Sequence, residues 1–162
     1  MSNVKNINDI VNRIVEGQVF EYLMNGDTKS ALELSMRKLT YRGDNKSDTI
    51  VERRMIALSA IGAGSREELI DFVETTVGIW FLSKGTIPTE NVADSLAEVE
   101  VTGRVKGINI NSISSEEFNP YHHLSEYLGV DHEELRVLVS TGSLRGDDFR
   151  KAMRSAVSTV ID

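Results

Sequence analysis

The sequence predicts an all-α protein: a single multi-helix domain of short capped helices, with room for a small β-hairpin near residues 99–110. Three observations predict it. Apolar residues recur at three- and four-residue steps through nearly the whole chain, a spacing that gathers them on one face of a helix. Glycine stands at the breaks between these runs. A residue able to cap a helix, Ser, Thr or Asp, follows most of the breaks. The stretch Leu124–Val157 shows all three together. Leu124, Tyr127 and Leu128 form one stripe, and Gly129 ends it. Asp131 then caps a second helix, with Glu134 at the capping-box position, and Leu135, Leu138 and Val139 as its apolar face. Thr141-Gly142-Ser143 is a stop. Phe149, Ala152, Met153, Ala156 and Val160 make a third stripe. The segment Ile61–Leu69 repeats the pattern of Leu128–Leu135, and Lys84–Glu90 repeats that of Thr141–Asp147.

From the start of the chain, Val4 to Leu23 reads as one helix carrying Ile7, Val11, Ile14 and Val19 at the helical beat. Gly17 inside it costs about 1 kcal/mol relative to alanine and marks a weak point or a close contact. Asn25-Gly26-Asp27 is a turn. Asp27 or Thr28 caps a second helix, Lys29 to Thr40. The segment Tyr41–Lys46 is the most loop-like of the first half and reads as a linker. It divides the chain into a helical pair over residues 1–42, which can act as an arm, and a helical core domain over residues 47–162. Val4, Ile7, Val11 and Ile14 then form a stripe expected to dock on another copy of the chain or on a partner protein.

Ser47 or Asp48 opens a third helix reaching about Ala60. Ser65 caps the fourth, with Glu68 as its capping-box partner, and Leu69, Phe72, Val73, Val77, Trp80 and Phe81 give the most apolar face of the protein. The only tryptophan is expected in the main core, opposite Leu135, Leu138, Val139 and Phe149. Gly85 ends that helix, and Thr89 caps a short one, Glu90 to Ala97. Between Glu98 and Ile113, Val99, Val101 and Val105 alternate with polar residues, which is a strand pattern. Ser114–Glu117 looks like a helix start, and Pro120 suits the first turn of the helix that bears Leu124.

A chain of 162 residues is long enough to bury a sizeable core. Its net charge of −7 argues against a large nucleic-acid or membrane footprint, since both need clustered Lys and Arg. With no cysteine there is no disulfide framework and no thiol nucleophile. No apolar run approaches the roughly 18 residues of a membrane span. His122 and His123 are adjacent and so diverge by about 100° on a helix. His122 and Glu126 share a face but supply only two ligands, so no metal and no other cofactor is expected. Gly62-Ala63-Gly64-Ser65 lacks the lysine and the preceding strand of a phosphate loop. The carboxylate pairs Glu67-Glu68, Glu116-Glu117, Glu133-Glu134 and Asp147-Asp148 fall in first turns, where they complement the helix dipole. No catalytic residue is assigned.

Residues Leu124–Leu144 have the cadence of a helix-turn-helix. The start of its second helix would face phosphate, yet it presents Asp131, Glu133 and Glu134. Arg136, Arg145, Arg150 and Arg154 would make the DNA contacts if that reading held. Residues from about Arg53 to Val157 resemble the helical domain near the N-terminus of tailed-phage tape measure proteins. The likeness is carried by Trp80–Gly85, Ile87–Glu90, Leu124–Val130, Glu134-Leu135, Thr141–Leu144 and Asp147–Ala156. It implies a non-enzymatic virion or tail-assembly role through protein contacts, with other virion proteins or further copies of the chain as partners, in the cytoplasm of a bacterial host or in the virion. The alternatives are a small helix-turn-helix regulator and an acidic protein that binds a host factor.

Overall fold

The structure, a computed structural model, describes residues 2–40 and 46–161, and the side chains of residues 7–38 and 46–161. Ten helices run through the described residues: α1 Ser2–Val15, α2 Gln18–Met24, α3 Thr28–Thr40, α4 Lys46–Ala60, α5 Arg66–Leu82, α6 Thr89–Thr102, α7 Gly107–Asn111, α8 Pro120–Leu128, α9 His132–Ser140 and α10 Gly146–Ile161. The all-α class and the short capped helices are therefore as the sequence predicts.

Local chemistry sets many of the boundaries. The Ser65 hydroxyl accepts from the Glu68 amide while the Glu68 carboxylate accepts from the Ser65 amide, so the capping box forms at α5. Asp131 Oδ1 accepts from the Glu134 amide at 2.8 Å and starts α9. Asn119 caps α8, with Pro120 in its first turn. Gly129, at φ +68°, ends α8 in the left-handed conformation that glycine adopts without a Cβ clash.

Helix α5 is the central element, packed on α10, α1 and α6. Leu69, Val73 and Ile79 of α5 are fully buried with Phe149, Met153 and Val157 of α10. The two helices meet at Gly78, where a Cβ would lie 2.6 Å from Val157 Cβ. On the other side, α4 packs against α6 and α3, and α2 against α3. Helix α8 lies on α10, and α9 packs mainly on α8 at the periphery. Every helix contributes side chains to one contiguous buried cluster.

Several expectations are corrected. The helix expected over Val4–Leu23 is two helices, broken at Gly17, whose extended backbone (ψ 166°) starts α2. A Cβ there would stand 3.0 Å from the Arg13 carbonyl oxygen, so glycine permits the turn. Ile7, Val11 and Ile14 are 0, 5 and 2% exposed, buried within the chain's own fold, where α1 packs on α5 and α10. They are not a free docking stripe; the side chain of Val4 lies outside the described residues. The division at residues 42–47 does not separate two cores, because α1–α3 share the cluster of α4–α10. Residues 41–45 of the expected linker lie outside the described residues.

No hairpin forms near 99–110. Helix α6 runs on to Thr102, and Val99 continues the buried stripe of Val92 and Leu96. The only β feature among the described residues is an isolated antiparallel bridge between Arg104 and Arg145. The short α7 was not expected, and Ser114–Glu117 is a turn in which the Ser115 hydroxyl accepts from the amides of Glu117 and Phe118. Pro88 rather than Thr89 occupies the cap position of α6. Trp80 is half-buried at the molecular edge, not in the main core.

Candidate functional site

Three surfaces stand out. The first joins α5, α6 and α10. Arg150 Nε lies 3.1 Å from Glu100 and its Nη1 lies 3.6 Å from Asp71, and Arg150 also pairs with Asp147. Arg154 lies 3.3 Å from Asp71 and 3.4 Å from Glu74. Burial pushes the Asp71 and Glu100 carboxyls above their ordinary values; the two arginines beside Asp71, and Arg150 beside Glu100, only partly offset it. Raised carboxyls in a cleft are a common mark of a reactive site. Here the adjoining cleft, between Leu58, Phe72, Leu96 and Phe149, has a volume of about 30 Å³. That is room for about one water molecule, not a substrate. The cluster therefore acts as a clamp holding α10 against α5 and α6.

The second surface is apolar. Trp80, Phe81, Leu82, Lys84 and Gly85 line an open cleft of about 490 Å³ at the C-terminal end of α5. The helix ends there because Lys84 and Gly85 both take positive φ, which turns the chain away and leaves the last turn of α5 uncovered on this side.

The third surface is cationic. Arg104, Lys106 and Arg136 line a groove of about 540 Å³ with Val105, Tyr121 and Val139. Arg145 stands opposite Arg104 in the bridge described above. All four cations are exposed. None of them has an ion-pair partner among the described residues. The nearby Glu98 carboxylate accepts instead from the Asn109 amide nitrogen at 2.9 Å.

The four arginines named for DNA contact thus divide. Arg150 and Arg154 are held by carboxylates of α5, α6 and α10, whereas Arg136 and Arg145 stand free of ion pairs. Asp131, Glu133 and Glu134 remain exposed at the start of α9, so the expected recognition end is acidic in space as well as in sequence. His122 Nε2 lies 3.6 Å from Glu126. His123 stacks on Phe118 with ring centroids 5.1 Å apart, and burial, aided by neighbouring His122, lowers its pKa. No group of three or more His, Asp or Glu side chains converges on a metal position among the described residues. Sequence reasoning missed the groove because Arg104 and Lys106 are thirty or more residues from Arg136, and no periodicity links them. The class defined is an all-α single domain with a cationic groove and an aromatic edge. No known protein family, curated protein or solved structure matches the chain.

Among the described residues no helix is long and apolar enough to cross a membrane.

Proposed function

We propose that the protein is a non-enzymatic module of a tailed phage that works through protein–protein contacts during tail assembly or in the virion, within an infected bacterial cell. The observation that carries the contact reading is the uncovered edge at Trp80 and Phe81. Tryptophan is the residue type most enriched among the side chains that dominate binding energy, and a partly exposed one lining an open apolar cleft is suited to a partner's surface. The phage assignment rests on the likeness of residues 53–157 to tape measure domains. The segments that carry that likeness include the end of α5 with this edge, together with α8, α9 and α10. Partners are other virion proteins or further copies of the chain.

The test is genetic. Disruption of the coding sequence in its native phage genome should yield particles without tails, or with tails of altered length, by electron microscopy. Supplying the intact chain should restore them, and a Trp80→Ala variant that folds normally should not. Normal tails after disruption would sink the assignment.

A DNA-binding regulator is the second reading, favoured only by the free cations Arg136 and Arg145. The exposed carboxylates at the head of α9 weigh against it, because phosphate would meet them first.

A further inference from the structure

The cationic groove between the Arg104–Gly107 segment, α8 and α9 has the features of a ligand site on an otherwise acidic protein. The chain carries a net charge of −7, yet Arg104, Lys106 and Arg136 converge on one groove with no carboxylate in its lining. Arg104 and Arg145 face each other directly across an antiparallel bridge. Like charges in that position repel. The bridge is tied by the Gly146 amide donating to the Gly103 carbonyl at 3.2 Å, and the Arg104 amide donates to the Thr102 hydroxyl at 3.3 Å. Backbone bonds therefore fix the segment that carries Arg104 and Lys106 beside the start of α10, and neither cation has an ion-pair partner among the described residues.

The groove floor is not polar throughout. Val105 is 1% exposed and Val139 is half-buried, and the Tyr121 ring lies along one wall with its hydroxyl fixed at 2.9 Å from Asn111 Oδ1. We propose that this groove binds an acidic peptide segment of a partner protein, with the three cations meeting its carboxylates and the valine floor taking an apolar side chain. A carboxylate partner fits better than nucleic acid. A polyanion long enough to use more than this groove would meet the exposed Asp131, Glu133 and Glu134 at the head of α9. A short peptide carrying a few carboxylates and an apolar residue meets only the groove. The volume of about 540 Å³ lies in the range of sites that accept a few side chains.

This inference rests on the reading of the chain as a protein-contact module and names the chemistry of one partner. Its test uses fluorescence anisotropy with the full chain and a labelled peptide of repeated Glu-Glu-Leu triplets. A Gln-Gln-Leu version and labelled oligothymidylate serve as comparison probes. The acidic peptide should bind, its affinity falling with added salt, and the glutamine peptide should bind at least about tenfold more weakly, a difference of about 1.4 kcal/mol. Arg136→Glu and Arg104→Glu should each weaken binding at least about tenfold. Lys29→Glu, the same charge change on the exposed face of α3, should leave it within about twofold. Arg136→Gln should give an intermediate loss, and circular dichroism confirms that each variant folds. Absence of acidic-peptide binding, equal loss in Arg136→Glu and Lys29→Glu, or preference for oligothymidylate would each overturn the proposal. Only the preference for oligothymidylate would also count against the protein-contact reading; the other two outcomes leave the tail-assembly test standing on its own.

Discussion

Gly78 shows how one residue controls the core. It sits mid-helix, where glycine costs about 1 kcal/mol relative to alanine. Helix propensity therefore favours replacing it. The space does not, because the added methyl would meet Val157 Cβ at 2.6 Å, and that atom is anchored to the α10 backbone. Overpacking of this kind costs about 1–3 kcal/mol. Gly78→Ala is expected to destabilise the protein in urea denaturation in spite of its better propensity. Val157→Ala in the same chain should recover part of the loss, a coupling that a double-mutant cycle reads directly. If Gly78→Ala is neutral or stabilising, α5 and α10 do not approach this closely. A second residue, Asp71, ties stability to pH. Its folded carboxyl is pushed up by burial, so the folded protein takes up that proton at a higher pH than the unfolded chain does. As pH falls from neutral through the raised value, the wild-type protein gains stability from this group. The gain is complete below the ordinary aspartate value of about 3.9. Asp71→Asn lacks the titration. The wild-type stability minus that of Asp71→Asn should therefore increase from pH 7 to pH 4. A flat or decreasing difference would show that Arg150 and Arg154 outweigh burial at this site.

Among elements, α1 and α2 differ most from their expected role. The stripe Ile7, Val11 and Ile14 is amphipathic, as for a docking arm, but it is spent on α5 and α10 of the same chain. Arg13 makes a two-pronged contact with Asp48 of α4, one arm at 2.9 Å, which fixes the end of α1 beside the start of α4. Removal of residues 1–24 should expose the faces of α5 and α10 that α1 covers and those of α3 and α4 that α2 covers. The truncated chain is expected to lose cooperative folding, with weak chemical-shift dispersion and binding of a hydrophobic dye. A truncated chain that stays folded and merely ceases to self-associate would restore the arm. Helix α9 is the opposite case. It is peripheral, with Leu135 its one fully buried side chain, so its exposed face is free to shape the cationic groove through Arg136 and Val139.

For the whole molecule, one continuous cluster reaching from Ile7 to Val157 means that no helix pair has a core of its own. Unfolding should then be a single transition. Trp80 fluorescence, which reports the α5 edge, and far-ultraviolet circular dichroism, which reports all helices, should give coincident urea curves. Separate midpoints for the two signals would divide the chain into independent units. The charge distribution also belongs to this scale. The chain has a net charge of −7, yet Arg104, Lys106 and Arg136 line one groove formed by segments far apart in the chain.

The all-α class, the caps at Ser65 and Asp131, the place of Pro120 in the first turn of α8, and the stop at Gly129 were legible in the sequence, because caps and glycine stops act over three or four residues. So was the acidic head of α9, which follows from Asp131, Glu133 and Glu134 standing together. The misread alternation of Val99, Val101 and Val105 has the same origin in reverse. A period of two over so few residues also fits a helix whose buried stripe passes through Val92, Leu96 and Val99, and the packing of α6 on α4 and α5 decided between them. Only the tertiary structure could say that Ile7, Val11 and Ile14 face inward, that Trp80 stands at an edge, that Arg150 and Arg154 are neutralised by Asp71, Glu74, Glu100 and Asp147, and that Arg104, Lys106 and Arg136 share a groove. An amphipathic stripe specifies that a face will be covered without naming what covers it, and a charge specifies a need for a partner without saying which carboxylate folding brings near. Both are settled by contacts between residues far apart in the chain.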